Sequence, residues 1–178
     1  MLVACTQCTA DENPPAANYV DQTFMAQYDG TEQKYVLVTP PNFSPDQSIA
    51  ILIALHGHGS DRWQFIRQGR GECRATRDVA AANRMILVSP DYRAKTSWMG
   101  PAAEADMLQI IRTLKQQFDV SHVIISGGSM GGTAALTFSA LHPDVIDGVV
   151  SLNGTANLVE YERFQNAIAA SYGGSKQQ

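Results

Sequence analysis

The segment from Ile49 to Leu55 is an unbroken apolar run with no polar face. A strand of that kind is stable only when both of its faces are covered, which is the environment of a parallel sheet. Met85–Ser89, stopped by Pro90, His122–Ser126 and Val145–Leu152 are runs of the same character. The segments between them read as helices. Arg74–Asn83 is alanine-rich, and Pro101–Phe118 repeats Met107, Ile110, Ile111 and Leu114 at helical spacing after a proline suited to a first turn. Gly131–Leu141 ends just before Pro143, and Leu158–Ala170 closes the series. Ahead of the alternation, Phe24–Asp29 and Gln33–Thr39 are strand-like and flank Asp29-Gly30-Thr31-Glu32, a hairpin signal. The expectation is an α/β fold: an opening β-hairpin, then a mostly parallel sheet with helices on both faces.

The chemistry is carried by Gly127-Gly128-Ser129-Met130-Gly131-Gly132, which contains G-x-S-x-G between a buried strand and a helix. The chain must reverse from strand to helix within a few residues, and side chains at the flanking positions would clash. The serine is held in a strained conformation with the positive end of the helix beside it. An oxyanion forming near Ser129 is stabilised there. A phosphate cradle is excluded, because neither the P-loop lysine nor the dinucleotide-binding glycine spacing is present.

A second element, Leu55-His56-Gly57-His58-Gly59-Ser60, follows the first buried strand at its C-terminal end, where open α/β sheets place their sites. The imidazoles of His56 and His58 are expected to fix the loop by binding backbone. A metal site built on them lacks an evident third ligand, although Asp61 and Asp91 follow in the sequence. Asp91, Tyr92 and Trp98 come after the strand ending at Ser89 and are candidates for a substrate-pocket wall, with loop packing the equal alternative.

These motifs, in this order, resemble the α/β-hydrolase superfamily, and within it esterases with a prolyl-oligopeptidase-like catalytic domain. The residues that carry the resemblance are Leu55–Asp61, Ser126–Gly132, Leu141-His142-Pro143-Asp144 after the elbow helix, and Asn153-Gly154 at the end of the next strand. It covers the chain from about Phe24 onward. The resemblance implies a serine hydrolase acting on carboxylic esters through an acyl-enzyme on Ser129, with acetyl or feruloyl esters of carbohydrate as candidate substrates. It implies backbone oxyanion donors at His58 or Gly59 on one side and Met130 on the other. It implies no cofactor and no metal. The rival from another class is a non-catalytic hydrolase-like binding protein or an inactive fragment.

The chain departs from the family in its charge-relay partners. In α/β-hydrolases the acid and the histidine follow the serine, and the only histidine after Ser129 is His142. The elbow helix puts it about 18 Å from the serine, at ~1.5 Å rise per residue. His122 begins the strand that ends at Ser129 and lies about 20 Å away. The expectation is a domain over residues 22–178 that lacks the last strands together with the acid and the base. Val145–Leu152 then becomes an exposed edge that recruits a second copy or a complementing C-terminal fragment.

Residues 1–21 read as a leader or linker. Leu2-Val3-Ala4-Cys5 has the look of a lipoprotein processing box, which would favour the cell envelope or secretion and make a lipid on Cys5 the one membrane contact. Cys5, Cys8 and Cys73 are an odd set with no disulfide framework. A net charge of -4 without a Lys/Arg run excludes nucleic acid as a partner.

Overall fold

The computed structural model describes residues 18–175. The Cys5 box lies outside them. The strands are β1 (Asn18–Met25), β2 (Glu32–Thr39), β3 (Ile49–Leu55), β4 (Ile86–Pro90), β5 (Val120–Gly128) and β6 (Gly148–Leu152). The helices are α1 (Gln64–Arg67), α2 (Gly71–Ala82), α3 (Pro101–Gln117), α4 (Met130–Leu141) and α5 (Gln165–Tyr172). One sheet has the order β1-β2-β4-β3-β5-β6. β4, β3, β5 and β6 run parallel, while β2 is antiparallel to β4 and to β1.

The apolar run of β3 is explained by its central place. Ile49, Ile51, Ile53 and Leu55 face a core that α3 and α4 cover, through Met107, Ile110, Ile111, Leu114 and Phe138 among others. Leu52 and Ala54 face the opposite core with Phe65 of α1, Cys73 and Ala80 of α2, and Leu87. Helices therefore lie on both faces, as an α/β-hydrolase sheet requires.

Several expectations are corrected at their boundaries. β1 begins at Asn18, so residues 18–21 belong to the sheet rather than to a leader. The hairpin connection is wider than Asp29–Glu32: Ala26 and Thr31 close it with an amide-to-carbonyl bond of 2.8 Å, and Asp29 Oδ1 accepts the Thr31 amide within it. Met25 and Glu32 are the last paired residues, which shortens the first strand from Asp29 to Met25. The last helix starts at Gln165 rather than Leu158, because residues 158–160 and 163–164 form turns and Phe164 is left-handed. Helix α1 gave no periodic signal, being a single turn. β6 is restricted to Gly148–Leu152 and is half-exposed at the sheet edge.

Candidate active site

Ser129 sits between the last residue of β5 and the first of α4, with φ 56° and ψ −118°. A non-glycine residue in that region is strained and persists only where its surroundings demand it. The demand here is steric. A Cβ on Gly127 would stand 2.4 Å from the Gly131 backbone, and one on Gly131 would stand 2.0 Å from the Leu55 carbonyl oxygen. The Ser129 amide donates to the Leu152 carbonyl at 2.8 Å, and the Ser129 carbonyl accepts the Thr133 amide at 3.0 Å. The elbow is thus nailed to β6 on one side and to the first turn of α4 on the other. The serine is exposed and its side chain makes no capping bond.

The loop after β3 is built almost wholly from borrowed hydrogen bonds. His56 is fully buried, with its ring nitrogens 2.9 Å from the Gly57 carbonyl and 3.0 Å from the Asp91 carbonyl. Burial pushes the imidazole below its ordinary pKa. The Tyr92 hydroxyl donates to the His56 carbonyl at 2.5 Å, and the Gly57 amide donates to Gln64 Oε1 at 2.9 Å. The Gly59 amide donates to the Lys95 carbonyl at 2.8 Å and the Ser60 amide to the Gly57 carbonyl at 3.2 Å. Gly59 is thereby corrected as an oxyanion donor, since its N–H is already committed. Among the described residues the His58 amide has no hydrogen-bond acceptor. The Met130 amide opens α4 and has no intrahelical acceptor.

Asp91 and Tyr92 act as braces rather than as an open wall. The Asp91 carboxylate takes the Arg62 amide at 2.9 Å and its guanidinium at 3.0 Å, while Tyr92 is buried with its ring 4.6 Å from that of His56. Trp98 is 1% exposed, and its ring lies beside His58, Tyr161 and Phe164.

Sequence reasoning missed the clamp that holds this loop. Arg93, at φ 71°, bonds Asp106 Oδ1 at 2.9 Å and Asp29 Oδ2 at 2.6 Å, so it ties the β4–α3 loop to both α3 and the hairpin turn. Asp106 lies on α3 and is 1% exposed, although a carboxylate on a helix normally faces solvent. The available signal was its position on the apolar stripe, three residues after Ala103 and four before Ile110. Burial raises the Asp106 pKa and Arg93 offsets only part of that, whereas Arg93 and Thr31 hold the exposed Asp29 carboxyl well below its ordinary range.

The remaining histidines stay away from the serine. His142 caps the far end of α4, where Nε2 lies 2.8 Å from Glu104 Oε1 and the ring packs on Phe138. His122 is exposed near the opposite end of β5. Glu160 and Glu162 lie in the irregular segment before α5.

A strained serine on a strand–elbow–helix turn, facing a backbone-amide loop at the C-terminal ends of parallel strands, defines the α/β-hydrolase class. A family model described as alpha/beta hydrolase fold matches residues 70–178, more than half of the chain, which belongs to that family. Among curated proteins, sn-1-specific diacylglycerol lipase ABHD11 of Xenopus laevis is 29% identical over 169 residues, covering 93% of this chain and 47% of its own length. This chain therefore spans about half of that relative. Among solved structures, the fluorophosphonate-binding serine hydrolase FphF of Staphylococcus aureus superposes with a TM-score of 0.67 at 19% identity, covering 82% of this chain and 62% of its own. The CE1 ferulic acid esterase AmCE1/Fae1A of Anaeromyces mucronatus gives 0.67 at 16% identity, over 93% and 67%. At those identities the structural likeness establishes the fold.

Proposed function

We propose that this chain carries the nucleophile of a serine hydrolase acting on carboxylic esters, acetyl or feruloyl esters of carbohydrate among them. The observation behind this is the conformation of Ser129: an exposed serine at φ 56° and ψ −118°, with glycines on both sides where no Cβ fits. Ser129 Oγ attacks the ester carbonyl carbon as a histidine removes its proton. The His58 and Met130 amides hold the oxyanion, and collapse of the tetrahedral adduct expels the alcohol, protonated by the same histidine. Water then releases the acid by the reverse sequence. His142 and His122 lie at the far end of the sheet from Ser129 and do not serve as this base. The names of the matched relatives, a lipase and several esterases, support ester hydrolysis over other chemistry on this elbow.

The test is p-nitrophenyl acetate hydrolysis by the chain and by Ser129→Ala, with fluorophosphonate labelling of both. The expected result is labelling of the parent chain and none of Ser129→Ala. Turnover by the 178-residue chain alone would transfer the base to one of its own histidines, of which His58 is at the right end of the sheet. Absence of labelling would favour the rival reading, a hydrolase-like binding protein with an idle serine.

A further inference from the structure

We propose that the aromatic cluster beside the oxyanion loop is a subsite for an aryl group bearing an oxygen acceptor, and that Phe164 fills this subsite in the free chain. The inference rests on Ser129 as the reacting centre. His58, whose amide has no acceptor among the described residues, packs its ring 4.3 Å from the ring of Phe164 at 36°. Phe164 in turn lies 5.6 Å from Trp98, and Trp98 lies 5.8 Å from Tyr161. One side chain in this cluster is incomplete: the buried Trp98 indole N–H has no acceptor among the described residues. Buried donors are nearly always paired, and the neighbouring Phe164 ring, tilted 37° to the indole, carries no oxygen to pair with it.

Phe164 is itself placed in an unusual way. It adopts φ 57° and ψ 26°, the left-handed region that suits glycine, as the residue preceding α5. It is also 42% exposed, so its position over His58 is not that of a core residue. The opposite end of the same helix is fastened to the subsite floor. The Tyr172 hydroxyl donates to the Trp98 carbonyl at 3.1 Å, and Ser171 Oγ accepts the Gly100 amide at 3.0 Å. The floor is therefore fixed and the Phe164 end is the part that can yield. A planar ring entering beside His58 would replace the phenyl in the stack, and a hydroxyl or methoxyl oxygen on that ring would accept the idle indole proton. Substrates of this shape are aryl or hydroxycinnamoyl esters rather than plain acetyl esters.

The experiment measures binding of methyl 4-hydroxycinnamate and methyl 4-methylcinnamate by calorimetry, on a Ser129→Ala background so that the esters persist. The hydroxy ester should bind about tenfold more tightly, as one neutral hydrogen bond allows. Trp98→Phe should bring that ratio to about one while keeping an aromatic ring. Phe164→Gly, which suits the left-handed backbone, should tighten both esters about tenfold by emptying the subsite. Equal affinities for the two esters, weaker binding to Phe164→Gly, or no binding of either ester would each overturn the proposal. The Phe164→Gly and parent results stand even if Trp98→Phe does not fold. Fluorophosphonate labelling of the Ser129 chain is run alongside. Labelling without aryl binding removes the subsite alone, and aryl binding without labelling keeps the subsite and removes the nucleophile.

Discussion

Ser129 and Gly131 form one steric unit, and the strain of the first is sustained by the absence of a side chain on the second. The Gly131 Cα presses against the end of β3, where an added methyl would meet the Leu55 carbonyl oxygen at 2.0 Å and the His56 carbonyl oxygen at 2.7 Å. Both atoms are backbone and cannot swing aside. Gly131→Ala is therefore expected to destabilise the fold by about 3 kcal/mol, the upper range for overpacking a rigid site. Gly59 offers the contrast. It has φ 79° with open space around it, so Gly59→Ala meets only backbone strain of about 1 kcal/mol. Urea unfolding of the two variants measures the difference. Equal losses would mean that the elbow relaxes and that Gly131 does not hold the serine in place.

The β4–α3 loop is the element that shapes the site, although it contains neither strand nor helix. Asp91, Tyr92 and Lys95 each hold the His56–Gly59 loop, and Arg93 anchors the whole between Asp106 and Asp29. The two carboxylates give opposite pH signatures. Asp29 has a folded pKa below its ordinary value of 3.8, so its contribution is present above that value and is lost as the pH falls. The stability gap between the parent and Asp29→Asn should therefore narrow under acid. Asp106 has a folded pKa above 3.8 because it is buried, so its favourable contribution is present below that value and is lost as the pH rises through the raised folded pKa. Asp106→Asn should gain on the parent over that rise. Denaturant unfolding across the acid range checks both, and slopes of the same sign would refute the assignment.

This element also marks how far the sequence could be read. The strands β3, β4 and β5 and the elbow are visible because their signals are local: apolar runs of strand length, and glycines at fixed offsets from a serine. The Arg93 clamp joins residues 64 and 13 positions apart, and no local pattern brings them together. Gly59 was an open candidate donor for the same reason, since the carbonyl that engages it belongs to Lys95. Phe164 falls in the middle of the helix expected over Leu158–Ala170, yet the chain turns left-handed at that residue and starts α5 after it. The position of Asp106 on an apolar stripe was the one legible hint of the clamp.

At the scale of the whole molecule, the two sheet edges are unlike. β1 carries Asp21 within the strand, and Arg62 pairs with that carboxylate at 2.7 Å. A charge on an edge discourages a further strand from pairing there. β6 has no charge and no proline from Gly148 to Leu152, and Val149, Val150 and Leu152 are 43%, 48% and 38% exposed. Its inner side pairs with β5, and among the described residues its outer side has no strand partner. The strand is thus apolar enough for a central position while standing at an edge, a combination that recruits another strand. The chain of 178 residues is expected to self-associate as its concentration rises, and Val150→Lys should restore the monomer while Val20→Lys on β1 should not. Sedimentation velocity over a hundredfold dilution series decides it. A parent chain that stays monomeric throughout would mean that β6 is covered by something other than a strand, and the Ser129 amide bond to Leu152 would then owe its rigidity to that cover.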